Sequence, residues 1–278
     1  MPTAATAAQD RSRPIGVFDS GVGGLSVLRE IRRALPAEAL CYVADSAHAP
    51  YGERSVDYIE ARSRHIIDFL RDQGAKAVVV ACNTVTGLVI EHLRAAFPEL
   101  PLIAIEPAVK PAAQSTRSGV IGLLATRQTV ASPGLQRLLQ LHASGKQVLL
   151  QACPGWVERV ERGELSGAET EAAVAHYVRP LLEQGADTLV LGCTHYPFLA
   201  PLIRRLAGDS VQVLDPAPAV ARELARRLAA LELLNPAAEA GSEQFWTSAD
   251  PQRIGPVVSA LWGAPVELSE LPLAAPAT

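Results

Sequence analysis

Val78-Val79-Val80-Ala81-Cys82-Asn83-Thr84 is one of two stretches in which an apolar run ends on a cysteine; the other is Leu189-Val190-Leu191-Gly192-Cys193-Thr194-His195. Short unbroken apolar runs read as strands covered on both faces, the kind that parallel sheets use. The polar residues that follow each run therefore lie at a strand's carboxyl end, where open α/β sheets bind ligands. Two thiols are expected at two such ends.

The surrounding elements alternate. Ile15 to Phe18 reads as a strand, Gly21-Val22-Gly23-Gly24 opens a helix from Leu25 to about Leu35, and Ala39 to Ala44 is a second strand. A polar loop to Arg54 leads into a helix from Val56 to Gln73 that Gly74 caps. Ala77 to Ala81 follows as a strand, Thr86 to Ala96 as a helix and Leu102 to Ile105 as a strand. Strands alternating with helices imply parallel pairing and right-handed crossovers. The series then repeats: Gly16 aligns with Gly122, Asp45 with Cys153, Cys82 with Cys193 and Glu106 with Asp215, at offsets of 106, 108, 111 and 109 residues. The chain thus divides into a disordered tail (1–13), a first α/β domain (14–106 plus 216–278) and a second (107–215). The returning segment carries a helix from Ala219 to about Leu234, then Phe245-Trp246-Thr247, a further helix and Val266-Glu267-Leu268. A pseudo-twofold relation between the halves sets Cys82 and Cys193 on opposite walls of a cleft.

Composition narrows the chemistry. Of 278 residues, 49% are hydrophobic and 19% charged, ample for two cores. A net charge of −4 offers no electrostatic basis for binding nucleic acid, and no apolar run has the length of a membrane span. Four cysteines without close pairing motifs read as reduced thiols, and the Ala/Thr-rich start lacks an apolar signal core, so a cytoplasmic location is expected. Lys76, Lys110 and Lys146 all avoid strand carboxyl ends, which argues against a pyridoxal phosphate Schiff base. The spacing of Cys82, Cys193 and His195 is poor for a metal, and no Cys-x-x-Cys supports dithiol redox chemistry.

Opposed thiols can remove a proton from one face of a carbon and return one to the other. A thiol serves as base only if its pKa falls from about 8.5, through a cation, a helix N-terminus or hydrogen bonds. His195 is placed to assist Cys193; Asp19 or Glu161 would assist the other side or hold a substrate ammonium group. The turn Asp19 to Gly24 offers backbone amides for an anion such as a carboxylate, or is a plain strand-to-helix turn. The loop from Asp45 to Gly52 either covers the cleft or is solvated. Cys41, inside its strand, reads as core, and Cys153 as packing in the second wall or part of the site. A single cysteine ending a strand is commonly inert; the duplication and the Asn-Thr and Thr-His sequels favour function for the pair. The non-enzymatic alternative is a flavodoxin-like binding protein with inert thiols.

Phe18-Asp19-Ser20-Gly21-Val22-Gly23-Gly24-Leu25, Pro50-Tyr51-Gly52, Ala81-Cys82-Asn83-Thr84 and Gly192-Cys193-Thr194-His195-Tyr196-Pro197 together resemble the cofactor-independent aspartate/glutamate racemases, in this combination those acting on glutamate. The resemblance runs from about Pro14 to the late 260s. It implies two flavodoxin-like, parallel-sheet halves with the active site between them, no cofactor, and an isomerase that interconverts L- and D-glutamate to supply D-glutamate for peptidoglycan. It implies Cys82 as the base toward D-glutamate and Cys193 toward L-glutamate. Asp19, His195 and Glu161 match supporting catalytic positions, Glu161 through the looser stretch Cys153 to Glu161. Substrate contacts carry over to Asp19, Ser20, Pro50, Tyr51, Gly52, Asn83, Thr84, Thr126, Thr129, Thr194 and His195. Glutamate is the expected partner, and a homodimer the expected assembly. A related racemase of aspartate or a hydantoin is the nearest alternative.

Overall fold

The computed structural model describes residues 11–272. Strands β1 (Ile15–Asp19), β2 (Leu40–Ala44), β3 (Ala77–Val80) and β4 (Leu102–Ala104) assemble in the order β2-β1-β3-β4. Strands β5 (Val120–Ala125), β6 (Gln147–Ala152), β7 (Thr188–Gly192) and β8 (Gln212–Leu214) form a separate sheet in the matching order β6-β5-β7-β8. Every strand pairing among the described residues is parallel. The repeat read from the sequence is therefore a repeat of topology, and both sheets place their ligand-binding switch point between the first and third strands of each half. The late strands β9 (Glu243–Thr247) and β10 (Leu268–Glu270) extend the first sheet beyond β2.

Helices α1 (Leu25–Ala34), α2 (Val56–Asp72) and α3 (Asn83–Ala96) serve the first sheet. Helix α4 (Val109–Ser115) leads into the second half, where α5 (Arg127–Ala131), α6 (Pro133–His142), α7 (Trp156–Glu161), α8 (Ala168–Glu183) and α9 (Ala200–Ala207) follow. The chain returns through α10 (Ala217–Ala230), which packs on α1, and α11 (Pro251–Trp262). One buried cluster runs from Val22 and Tyr42 of the first half to Trp156 and Tyr196 of the second, so the halves share apolar surface. Trp156 and Tyr196 meet edge-on with centroids 4.7 Å apart. Of the tail assigned to 1–13, residues 1–10 lie outside the described residues. Its inner end is held: Arg11 donates to the Glu232 carbonyl at 2.9 Å and accepts from Lys76 Nζ at 2.5 Å.

The third helix begins earlier than its sequence suggests. Asn83 and Thr84 look like capping residues for a start near Thr86, but they form the first turn, and the Cys82 carbonyl accepts from Thr86 N at 3.0 Å. Cys82 is thus the residue at the helix's amino-terminal cap. Its unusual identity for that position hides the boundary.

Two aligned glycines carry the repeat into the packing. A Cβ on Gly16 would come 3.0 Å from Leu70 Cδ1 of α2; on Gly122 it would come 2.7 Å from Leu189 and 2.9 Å from Leu181 of α8. In each half a leucine of the covering helix lies on a strand position that has no side chain. Gly122→Ala should lower stability by about 1–3 kcal/mol, the usual cost of overpacking a core, and Gly16→Ala by less. Urea unfolding midpoints check the ranking; an unchanged midpoint for Gly122→Ala would refute it.

Candidate active site

The carboxyl ends of β1 and β3 bring Asp19, Ser20 and Cys82 together. Asp19 is fully buried, and its carboxylate accepts from the backbone amides of Ser20 at 2.8 Å and Gly24 at 2.7 Å. The Cys82 thiol lies 3.7 Å from Ser20 Oγ, to which it donates. Burial pushes the Cys82 thiol far up, and the Asp19 charge adds to this; the Val85 amide and Ser20 hydroxyl oppose without prevailing. Cys82 is accordingly a protonated thiol in the free protein.

The second wall is built differently. His195, in the turn after β7, sets Nδ1 3.7 Å from Cys193 Sγ, and its Nε2 lies 2.7 Å from Glu161 Oε1 at the end of α7. The same Glu161 oxygen accepts from Val22 N of the first half at 2.7 Å, while Oε2 accepts from Ser46 Oγ at 3.2 Å. Asp19 Oδ2 is 4.0 Å from His195 Nδ1 and accepts from Thr194 Oγ1 at 3.1 Å. Burial by itself lowers the basicity of His195, but hydrogen bonds with Cys193 and Glu161 and the nearby Asp19 charge outweigh it and hold the ring well above the ordinary histidine value. Burial raises Asp19 above the usual carboxylate range, against the pull of His195 and the Ser20 amide.

These contacts revise two expectations. Glu161 sits behind His195 on the Cys193 wall; it does not assist the Cys82 side. The amides of the turn after β1 do hold carboxylates, but those of Ser20 and Gly24 hold Asp19 and that of Val22 holds Glu161. The glycines have a further use. A Cβ on Gly21 would lie 1.9 Å from Glu161 Oε1, and one on Gly23 2.2 Å from His195 Nδ1. The turn lacks side chains where the other half inserts two of its own.

The remaining expected contacts converge on the cleft. Thr84, Thr126 and Thr129 form a triangle of hydroxyls 2.9–3.3 Å apart, joining the first turn of α3 to the start of α5. Asn83 is buried with both side-chain amide atoms unpartnered. Pro50 and Gly52 line a crevice between the halves with Thr126, Cys153 and Tyr196. The loop after β2 therefore reaches across to the second half. Tyr51 is the exception, its phenol turned away to Asp45. Cys41 is buried in β2 with its thiol pushed up to about 12 by burial, as a core residue would be. Sequence reasoning missed Ser46, and Ser26 of α1, whose hydroxyl donates to the Thr194 carbonyl at 2.9 Å and ties the Cys193 turn to the first half. Isolated serines carry no signal of such long-range partners.

The described residues contain no cluster of histidine, cysteine and carboxylate side chains able to hold a metal ion. None of their helices is long and apolar enough to cross a membrane. Two buried thiols thus lie at equivalent strand ends, one beside a serine and a buried aspartate and the other beside a histidine held by Glu161, and the chain belongs to the Asp/Glu/Hydantoin racemase family, which it matches over residues 15–224. It is an isomerase of the racemase class. Its relatives narrow the class: it is 53% identical over 266 residues to a glutamate racemase of Pseudomonas entomophila, covering 95% of this chain and 99% of that one. The glutamate racemase of Francisella tularensis solved with D-glutamate superposes with a TM-score of 0.82 at 27% identity, covering 94% of this chain and 98% of that one. The Escherichia coli glutamate racemase solved with L-glutamate and the activator UDP-MurNAc-Ala superposes at 0.79 and 33% identity, covering 93% and 97%.

Replacing Glu161 by Gln removes the negative acceptor from His195 Nε2, so the ring should lose its proton at lower pH. Imidazole NMR titration of the parent should find His195 still charged above the ordinary histidine range, and the variant's midpoint should fall. Equal midpoints would refute the role given to Glu161.

Proposed function

We propose that this protein is a glutamate racemase that inverts the α-carbon by proton transfer between two thiols, without a cofactor, and so supplies D-glutamate for peptidoglycan. The observation that carries the reading is the placement of Cys82 and Cys193 at equivalent strand ends of two repeated halves, with different acid/base partners on each side. Relatives bound to each enantiomer of glutamate share this fold over nearly the full chain and support the choice of substrate.

In the L-to-D direction Cys193 is the base. A positively charged His195 beside it stabilises the thiolate, and Glu161 fixes the ring through Nε2. The thiolate takes the α-proton, a planar carbanionic species forms, and the Cys82 thiol delivers its proton to the opposite face. Burial and the Asp19 charge keep that proton on Cys82 until it is needed. The product complex has its thiol states exchanged, and D-glutamate runs the sequence backward with Cys82 as base. Asn83, Thr84 and the hydroxyls of Thr126, Thr129 and Thr194 supply the polar contacts for the substrate carboxylates, and Asp19 neutralises its ammonium group. Donors fixed in a water-poor cleft stabilise charge that develops on the α-carboxylate. The reading places the enzyme in the cytoplasm, where its thiols stay reduced.

Cys82→Ser and Cys193→Ser should each slow racemisation by about 10²–10⁴-fold, the range for loss of a positioned acid or base, because an alcohol is a far weaker acid than a thiol. Circular dichroism of L- and D-glutamate without added cofactor measures this. Parent enzyme in deuterium oxide should also place deuterium on the product α-carbon. Near-parental turnover in either variant would overturn the two-thiol scheme, and parallel assays with aspartate test the substrate.

A further inference from the structure

The loop after β2 carries Pro50, Tyr51 and Gly52 to the cleft, yet the Tyr51 phenol is buried and donates to Asp45 Oδ2 at 2.5 Å. Asp45, fully buried just beyond β2, is gripped in turn by Arg62 of α2: Nη2 donates to Oδ1 at 2.7 Å and Nε to Oδ2 at 3.0 Å. A forked arginine–carboxylate contact fixes direction as well as distance. What Tyr51 and Gly52 offer the cleft is then backbone. Gly52 lies so near the second half that a Cβ there would come 3.0 Å from Thr126 Cβ. A shift of the loop is therefore felt directly at the hydroxyl triangle. The arrangement has no counterpart in the other half, where the residue aligned with Asp45 is Cys153.

We propose that Arg62 is a positioning residue for substrate binding: it neutralises and orients Asp45, which holds Tyr51 and so sets the backbone of the loop against the substrate. The inference rests on the reading of this cleft as a glutamate site. Arg62 engages Asp45, with Tyr51 beside it, and lies outside the group of thiols, His195 and Glu161. A loop that contacts the substrate without touching the reacting carbon binds ground state and transition state alike, so its loss raises KM and leaves kcat.

The test compares the parent enzyme with Arg62→Met, Arg62→Lys and Tyr51→Phe, assayed on both glutamate enantiomers alongside thermal melting. Arg62→Met should raise KM about tenfold, equivalent to about 1.4 kcal/mol, with kcat within about threefold of the parent. Arg62→Lys, which keeps the charge but not the fork, should fall between the two. Tyr51→Phe leaves the buried ion pair intact, so it should raise KM with a smaller loss of melting temperature than Arg62→Met, which keeps the proposal testable should Arg62→Met not fold. Parental KM in Arg62→Met or Tyr51→Phe, or a loss confined to kcat, would overturn the proposal. A parent enzyme inactive on glutamate would instead remove the substrate assignment.

Discussion

His195 and Glu161 belong to one half of this molecule and reach their places only by entering the turn of the other. A buried carboxylate costs several kcal/mol unless hydrogen bonds and an opposite charge replace its water. Here two carboxylates, Asp19 and Glu161, share the amides of Ser20, Val22 and Gly24 and lie on either side of one imidazole. The arrangement leaves no room for a Cβ at Gly21 or Gly23. The closeness of the halves, the orientation of His195 and the surroundings of both thiols all depend on that insertion.

Duplication of the chain has produced two walls that match in backbone and differ in chemistry. The strand orders are the same, and Gly16 and Gly122 receive equivalent leucines. The thiols, however, meet unlike partners. Cys82 caps the fourteen-residue helix α3 and donates to Ser20, and burial, reinforced by the Asp19 charge, pushes its thiol up. Cys193 faces a histidine biased toward its charged form. One thiol thus lies beside a hydroxyl and a buried carboxylate, the other beside an imidazole. The same divergence sets an ion-paired aspartate after β2 and a thiol after β6.

The loop after β2 is held by a buried charge pair. Asp45 and Arg62 form a forked contact, and the Tyr51 hydroxyl donates to the same aspartate. Ser46, one residue further, bonds Glu161. The loop therefore ties the Asp45–Arg62 pair of the first half to the carboxylate that holds His195 in the second.

Much of this was legible in the residues themselves. Apolar runs ending at Cys82 and Cys193, glycine-opened helices and the near-constant offsets determined a duplicated parallel α/β chain with a thiol in each half. Those are consequences of local periodicity and chain order, which a linear text preserves. The start of α3 was not legible, because the capping position holds a cysteine and the capping-type residues follow it. Nor was the side of the cleft served by Glu161, or the true anions of the turn after β1. These depend on which atoms of distant segments come within about 3 Å, the range in which a hydrogen bond forms. Only the packing of one half against the other decides that, since the glycine gaps, the backbone amides and the charges that fill them come from separate parts of the chain.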